Sequence, residues 1–204
     1  MTHFLSQLKI ILMELVFATH NKNKLKEVQA LLPKHITLLS LEDIGCTEDI
    51  AETGTTIEEN ALIKANYVAN TYNLPCFADD TGLLIDALKG APGVYSARYA
   101  GEQKSAEDNM QKLLHNLEGK TQRNAHFKTV IALVIGAKTH QFTGIVEGHI
   151  TETKQGEQGF GYDPIFCPNG YTLTFAQLPL AEKNSISHRG KAMKKLIEHL
   201  KATI

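Results

Sequence analysis

Several short polar stretches of this chain have residue types and spacing that suit a charged, phosphate-bearing ligand. The first is Thr19-His20-Asn21-Lys22-Asn23-Lys24. It lies between an apolar run and a helical pattern, where free backbone N–H groups and the positive end of a helix dipole favour an anion. Lys24 falls in the first helical turn, where a cation opposes the dipole, so an anion is expected opposite it. The Gly-rich spacing and Gly-Lys-Ser/Thr ending of a Walker loop are absent. The plain alternative is a solvated turn with surface lysines.

The second stretch, Asp79-Asp80-Thr81-Gly82, closes an apolar run. Adjacent carboxylates repel unless a cation relieves them. Mg²⁺ takes oxygen ligands, and a carboxylate beside it can accept a proton from an attacking water. The alternative is a turn ending in a helix N-cap, for which Asp and Thr are also suited. Upstream, Glu52-Thr53-Gly54 precedes Glu58, Glu59 and Asn60. Glu58 and Glu59 are explained by a solvated, capped helix, whereas Glu52 lies before that helix, in a loop, and can complete a metal shell.

Two later stretches complete the set. In Gly159-Phe160-Gly161-Tyr162-Asp163-Pro164 the glycines permit close approach of a ligand, and Phe160 and Tyr162 offer flat faces for a base. Asp163 precedes Pro164 and is held extended. A β-turn with aromatic core anchors is the alternative. In Lys183-Asn184-Ser185-Ile186-Ser187-His188-Arg189-Gly190, Ser187 can cap a final helix. That puts His188 and Arg189 at its positive end, where Arg suits a carbonyl or phosphate. The alternative is an exposed basic helix start.

These residues need a scaffold, and the apolar pattern supplies one. Leu15 to Ala18 reads as a short buried strand. Leu25, Val28, Leu31 and Leu32 then recur at helical spacing until Pro33. A second helix starts at Thr55 or Thr56, each with a Glu three residues later at capping-box spacing, and carries Ala61, Leu62, Ala65, Val68 and Ala69. Cys76-Phe77-Ala78 is another short strand. Ser105 to Leu117 reads as a helix and Phe127 to Ile135 as a central strand. Gln141 to Ile150 reads as a strand in which Gly144 and Gly148 predict bulges or a sharp bend. Ser187 to Leu200 is the last helix. The alternation is that of an α/β fold with the strands in one long mixed sheet.

Composition excludes several classes. The chain has 204 residues, 43% hydrophobic and 21% charged, enough apolar surface for one globular domain and too much for a disordered chain. No run approaches the roughly 18 apolar residues of a membrane span. The net charge of −1 lacks the basic excess of a nucleic-acid binder, although a local cluster suffices for a small phosphorylated ligand. Cys46, Cys76 and Cys167 are odd in number and form no CxxC pair, which points to a reducing compartment and a cytoplasmic protein. Residues 1–13 read as an N-terminal extension, with Met13 as the original start, and 14–204 as a single catalytic domain. Glu14 interrupts the faintly signal-like run Ile10 to Met13.

In order along the chain, FATHNKNK, ETGTTIEENALIKA, ADDTGL, GAPGVYSARYAGE, GFGYDPIF and EKNSISHRGKA closely resemble the noncanonical purine nucleoside triphosphate pyrophosphatases, the inosine triphosphatase or Ham1-like family. The resemblance runs from Leu15 to about Leu200. It implies an elongated α/β fold with a long mixed sheet and a nucleotide cleft between two lobes. It also implies a homodimer and Mg²⁺-dependent hydrolysis of ITP, dITP and XTP to the monophosphate and pyrophosphate, which clears deaminated purines from the nucleotide pool. By the same resemblance, Thr19 to Lys24 form the triphosphate loop, with Thr19, Asn21 and Lys24 foremost. Asp80 is the proton acceptor and a metal ligand, and Thr81 stands where the family often has Ser. Phe160, Gly161, Tyr162 and Asp163 bind the base, and Lys183, His188 and Arg189 make the remaining contacts. The family often reads Glu-Glu-Thr-Gly where this chain has Ala51, so the second metal carboxylate falls to Glu52, with Glu48 and Asp49 as alternatives. A donor from His188, Arg189 or a backbone N–H would accept the 6-oxo group of hypoxanthine and xanthine and leave the 6-amino group of adenine unpaired. The rival readings are a Maf-like pyrophosphatase, which the FGYDP and SHR stretches disfavour, and a nucleotide-binding module without catalysis, which the Asp79-Asp80 pair and the lysines disfavour.

Overall fold

The computed structural model describes residues 13–203; the expected extension lies outside the described residues except for Met13, which opens the first strand. The elements are β1 (Met13–Phe17), α1 (Lys22–Gln29), β2 (Ile36–Leu39), α2 (Ile57–Tyr72), β3 (Cys76–Ile85), β4 (Pro92–Gly93), α3 (Ala106–Asn116), β5 (Asn124–Ile135), β6 (Lys138–Ile150), β7 (Phe166–Pro168), α4 (Leu180–Ile186) and α5 (His188–Thr203). The strands form one mixed sheet in the order β2-β1-β3-β5-β6-β7, with β4 also paired to β3. The α/β class with a long mixed sheet is as expected.

Alternation along the strands gives the sheet two apolar faces. Leu15, Phe17, Phe77, Ile131 and Leu133 pack with Met193, Leu196 and Leu200 of α5. Val16, Ala78, Val130 and Ala132 pack with Ala61, Ala65 and Val68 of α2. A separate cluster at the far ends of β3, β5 and β6 joins Leu83, Ile85, Phe127 and Ile150 to Leu113 of α3, Phe166 and Phe175. The two lobes therefore share one set of long strands.

Several local expectations need correction. Asp79 to Gly82 do not end a strand; β3 continues through them to Ile85, because it pairs with β5 without a break from Cys76 to Ile85. The bulges expected at Gly144 and Gly148 are absent, since β5 and β6 pair in one unbroken register from Asn124↔His149 to Ile135↔Lys138. Gly144 serves close approach instead: a Cβ there would collide with the His188 carbonyl and stand 2.6 Å from the Ala192 nitrogen, so only Gly lets α5 lie on β6. Helix α1 begins at Lys22, earlier than expected, because the Asn21 side chain caps it by accepting from the N–H groups of Asn23 and Lys24. Of the two possible starts of α2, Thr56 is the cap, with Glu59 closing the box. Strand β2 and helix α4 were not expected from the sequence pattern.

Candidate active site

The sheet has a gap where the polar stretches meet. β1 pairs with β3 at Cys76 and Phe77, and β4 pairs with it again only at Leu83 and Leu84. Between them that edge of β3 is open, and a cleft of about 520 Å³ lies there. It is lined by the loop after β1, the turn after β4, the 160–163 stretch and the start of α5. Ligands of open α/β sheets gather at such breaks in strand order.

The open edge carries Asp79 and Asp80, and strand alternation sends them to opposite faces. Asp79 shares its face with Phe77 and Thr81. It is 1% exposed and accepts from Lys24 Nζ at 2.7 Å and Arg189 Nε at 2.9 Å. Burial alone would raise its carboxyl, but Lys24, Arg189 and Lys64 outweigh it and hold Asp79 well below the usual carboxylate range. Asp80 points to the α2 side and lines the cleft. Asn60 Nδ2 donates to its Oδ2 at 3.3 Å, and Lys64 Nζ stands 3.7 Å from its Oδ1. Burial pushes this carboxyl up, with Glu52 and Asp79 adding to the rise against the pull of Lys64 and Lys24. The adjacent carboxylates are thus driven in opposite directions, the pattern that separates a structural anion from a proton acceptor.

The loop after β1 supplies Thr19, His20 and Asn21 to the cleft wall, and the first turn of α1 supplies Asn23 and Lys24; Lys22 is exposed and does not line it. Thr19 Oγ1 accepts from the Asn21 N–H at 3.2 Å, and His20 Nε2 donates to the Glu48 carbonyl at 2.9 Å. The anion expected opposite Lys24 is present, and it is Asp79.

The carboxylate expected to join Asp80 is Glu52. It pairs with Lys64 Nζ, the same ammonium that faces Asp80, and its Oε2 lies 3.8 Å from Arg98 Nη1. Ala51 is exposed on the cleft wall. Of the alternatives, Glu48 accepts from Cys46 Sγ and does not line the cleft, whereas Asp49 lines it and pairs with Lys104 at 3.5 Å. Glu58 pairs with Lys128 and Glu59 caps α2, as their helical reading expects. Glu52 and Asp80 share one cation on a cleft wall, a donor set that fits Mg²⁺, which takes one or two carboxylates and completes its shell with phosphates and water.

At the other end, Asp163 accepts from the Phe160 N–H at 2.8 Å and from Lys183 Nζ at 2.6 Å. A Cβ at Gly159, whose φ is +76°, would collide with that Asp163 carboxylate, so glycine is required. Phe160 lines the cleft with Lys183 Nζ 5.2 Å and Arg189 Cζ 5.6 Å from its ring centre. Tyr162 is buried, and its hydroxyl donates to the Ser96 carbonyl at 2.9 Å, so it is a packing anchor more than an open face. Lys183 is buried between Asp163 and Glu27. Arg189 is equally buried and bonds Asp79, Glu27 and Thr81. His188 stacks on Phe127 with ring centres 4.5 Å apart. Burial, with Arg189 and Lys183 nearby, holds it neutral, and its Nδ1 is the buried side-chain polar atom left without a partner among the described residues.

Sequence reasoning missed Glu27, Lys64 and Arg98. Glu27 looks like one more polar residue of a short amphipathic helix. Lys64 had a signal: it falls between Ala61, Ala65 and Val68 on the apolar face of α2, where an unpaired lysine would be costly.

Comparison with known proteins identifies the family. The sequence pattern of the Ham1 family matches residues 15–199. A protein of Flavobacterium johnsoniae named dITP/XTP pyrophosphatase is 62% identical over 191 residues, 94% of this chain and 100% of that one. Its namesake in Bacillus subtilis is 51% identical over 197 residues, 95% of this chain and 100% of that one. The solved Ham1 protein of Staphylococcus aureus superposes with a TM-score of 0.85 at 41% identity, over 94% of this chain and 100% of the other. That of Coxiella burnetii does so with 0.86 at 42%, over 93% and 99%. The chain belongs to the Ham1 family.

Proposed function

We propose that this chain is a nucleoside-triphosphate pyrophosphatase that hydrolyses dITP, XTP and ITP between the α and β phosphates. The products are the monophosphate and pyrophosphate, and the role is to remove deaminated purines from the nucleotide pool. The names of its relatives support the substrate class, dITP and XTP. The observation that carries the reaction is the divergence of Asp79 and Asp80, one neutralised inside the fold and the other raised at the cleft wall.

Asp80 orients the attacking water and accepts its proton. Glu52 and Asp80 would hold Mg²⁺, which when bound offsets the phosphate charge. Lys64 neutralises the same carboxylates from the α2 side. Thr19, His20, Asn21, Asn23 and Lys24 offer donors to the triphosphate, and Lys22, exposed outside the cleft, adds only its charge. Phe160 provides the face for the base, beside the backbone of Gly161. Tyr162 and Asp163 fix that stretch, and Lys183 and Arg189 hold the buried charges behind it. Thr81 links Arg189 to the strand. His188 Nδ1 is a donor or acceptor for the 6-oxo edge, according to its tautomer. Cleavage of this kind depends on positioning and charge, which the cleft supplies.

The family resemblance supports a homodimer, and residues 14–204 act as one catalytic domain in the cytoplasm. No described helix is long and apolar enough to cross a membrane.

The test is pyrophosphate release from ITP, XTP, dITP, GTP and ATP, with Mg²⁺ and with EDTA. Mg²⁺-dependent release from the first three, about a hundredfold above GTP and ATP, is expected. A site that hydrogen-bonds the 6-oxo group leaves the 6-amino group of adenine unpaired, and guanine, which shares the 6-oxo group, must be rejected separately through its 2-amino group. Equal release from ATP would overturn the base rule, and release in EDTA would overturn the metal assignment.

A further inference from the structure

The cations lining the cleft differ in how far the protein already engages them. Lys24 is bonded to Asp79, Lys64 to Glu52, and Lys183 to Glu27 and Asp163. Arg189 bonds Asp79, Glu27 and Thr81. Lys104 is half exposed and pairs with Asp49. Arg98 alone among them has neither a hydrogen bond from its guanidinium to the described residues nor an ion pair closer than 3.8 Å. Arg123, elsewhere in the chain, donates to the carbonyls of Ile150, Leu117 and Thr151. A guanidinium carries five N–H donors in a rigid fork, and leaving them unengaged in a cleft is unusual unless a ligand takes them.

The backbone that carries Arg98 is fixed. It ends a tight turn over Ser96–Arg98, just after β4 and directly across the gap from the loop after β1. Ser96 Oγ accepts from the Leu83 N–H at 2.9 Å and donates to the Gly93 carbonyl at 2.6 Å. Asn109 Nδ2 donates to the Ala97 carbonyl at 2.9 Å. The side chain is 21% exposed, with its Cζ 5.4 Å from the Tyr95 ring centre. It faces Glu52 through Oε2, whereas Lys64 takes Oε1. Arg98 therefore faces the Glu52 carboxylate and the Tyr95 ring without a hydrogen bond, on a pinned turn beside the gap.

We infer that Arg98 is a phosphate-binding residue that engages the β and γ phosphates and the departing pyrophosphate. The inference rests on the pyrophosphatase reading. Cleavage between the α and β phosphates transfers negative charge to the β phosphate as its bond to the α-phosphate opens. A planar, two-pronged donor beside Glu52 in the cleft matches that charge in geometry and sign.

The test uses Arg98→Gln and Arg98→Lys in the full chain. Binding of inorganic pyrophosphate and of XMP is titrated by calorimetry with Mg²⁺, and kcat is measured for XTP. In Arg98→Gln, pyrophosphate binding is expected to weaken about tenfold or more, the worth of one charge-assisted hydrogen bond. XMP binding should stay within about twofold, and kcat should fall about a hundredfold. Arg98→Lys should recover part of the binding and little of kcat, because an ammonium lacks the fork. Unchanged pyrophosphate affinity in Arg98→Gln would overturn the inference, as would equal weakening of XMP. If the unaltered protein turns over none of the five triphosphates, the pyrophosphatase reading falls, and the pyrophosphate titration still decides the role of Arg98.

Discussion

Arg189 Nε donates to Asp79 Oδ2 at 2.9 Å and so ties the first turn of α5 to the middle of β3. The same guanidinium reaches Glu27 of α1 and Thr81 of β3. Removing Arg189 leaves Asp79 with Lys24 alone and Glu27 with Lys183 alone, and breaking a buried charge network of this kind costs about 3–5 kcal/mol. Arg189→Met is expected to lose that much stability in urea denaturation at neutral pH. A loss under about 1 kcal/mol would mean that Lys24 and Lys183 suffice to compensate Asp79 and Glu27.

Asp80→Asn keeps the shape of the side chain and removes its ability to accept a proton. Turnover is expected to fall by about 10²–10⁴-fold, while nucleotide binding changes little. Steady-state kinetics with XTP, beside calorimetric titration of the same variant, separates the two. A near-normal kcat would exclude Asp80 as the base.

Glu27 gives the fold an acid limit. Burial acts to raise its carboxyl, but Arg189 and Lys183 prevail and hold it below the ordinary glutamate range. Because the folded value lies below the unfolded one, its contribution is complete above the ordinary value of about 4.3 and is lost as pH falls through the folded value. Glu27→Gln should be less stable than the parent by about 3–5 kcal/mol at pH 7. The gap should narrow steadily below pH about 4.3, where the parent glutamate takes up a proton and comes to resemble glutamine. Denaturation midpoints from pH 7 to 3 read this directly, and a constant gap would contradict it.

Local signals in the sequence located most of the elements, and long-range ones did not. The capping-box spacing at Thr55 and Thr56 and the helix start near Ser105 are read from a few adjacent residues; in the structure Thr56 caps the one helix with Glu59, and Ser105 caps the other. Strand β2 is only four residues long, and α4 is a short polar helix without a side-chain cap, so neither has a period to detect. Gly144 was legible as a break in an apolar pattern, yet its cause is α5 lying on β6, which no local window contains.

The same division runs through the cleft. From the sequence, an anion is expected opposite Lys24 and a carbonyl or phosphate at Arg189, both in favour of a bound phosphate; in the fold the protein carboxylate Asp79 pairs with both cations. A sequence read in one dimension places Asp79 and Asp80 side by side as a repelling pair. In the strand they point apart, and that geometry assigns one to the interior and one to the cleft. Glu27 escaped notice because its partners lie 156 and 162 residues away.

The dependence of Asp79 on Arg189 also sets an order of assembly. A growing chain completes Glu52, Lys64 and Asp80 early, and makes Phe160 and Asp163 later. Arg189 comes after all of them. Until α5 docks, Asp79 lacks one of its two cations and the His188 ring is missing from the cleft wall. On the proposed function, a chain released short of His188 would be unarmed, so the cell would be spared a half-made hydrolase with access to its triphosphate pool.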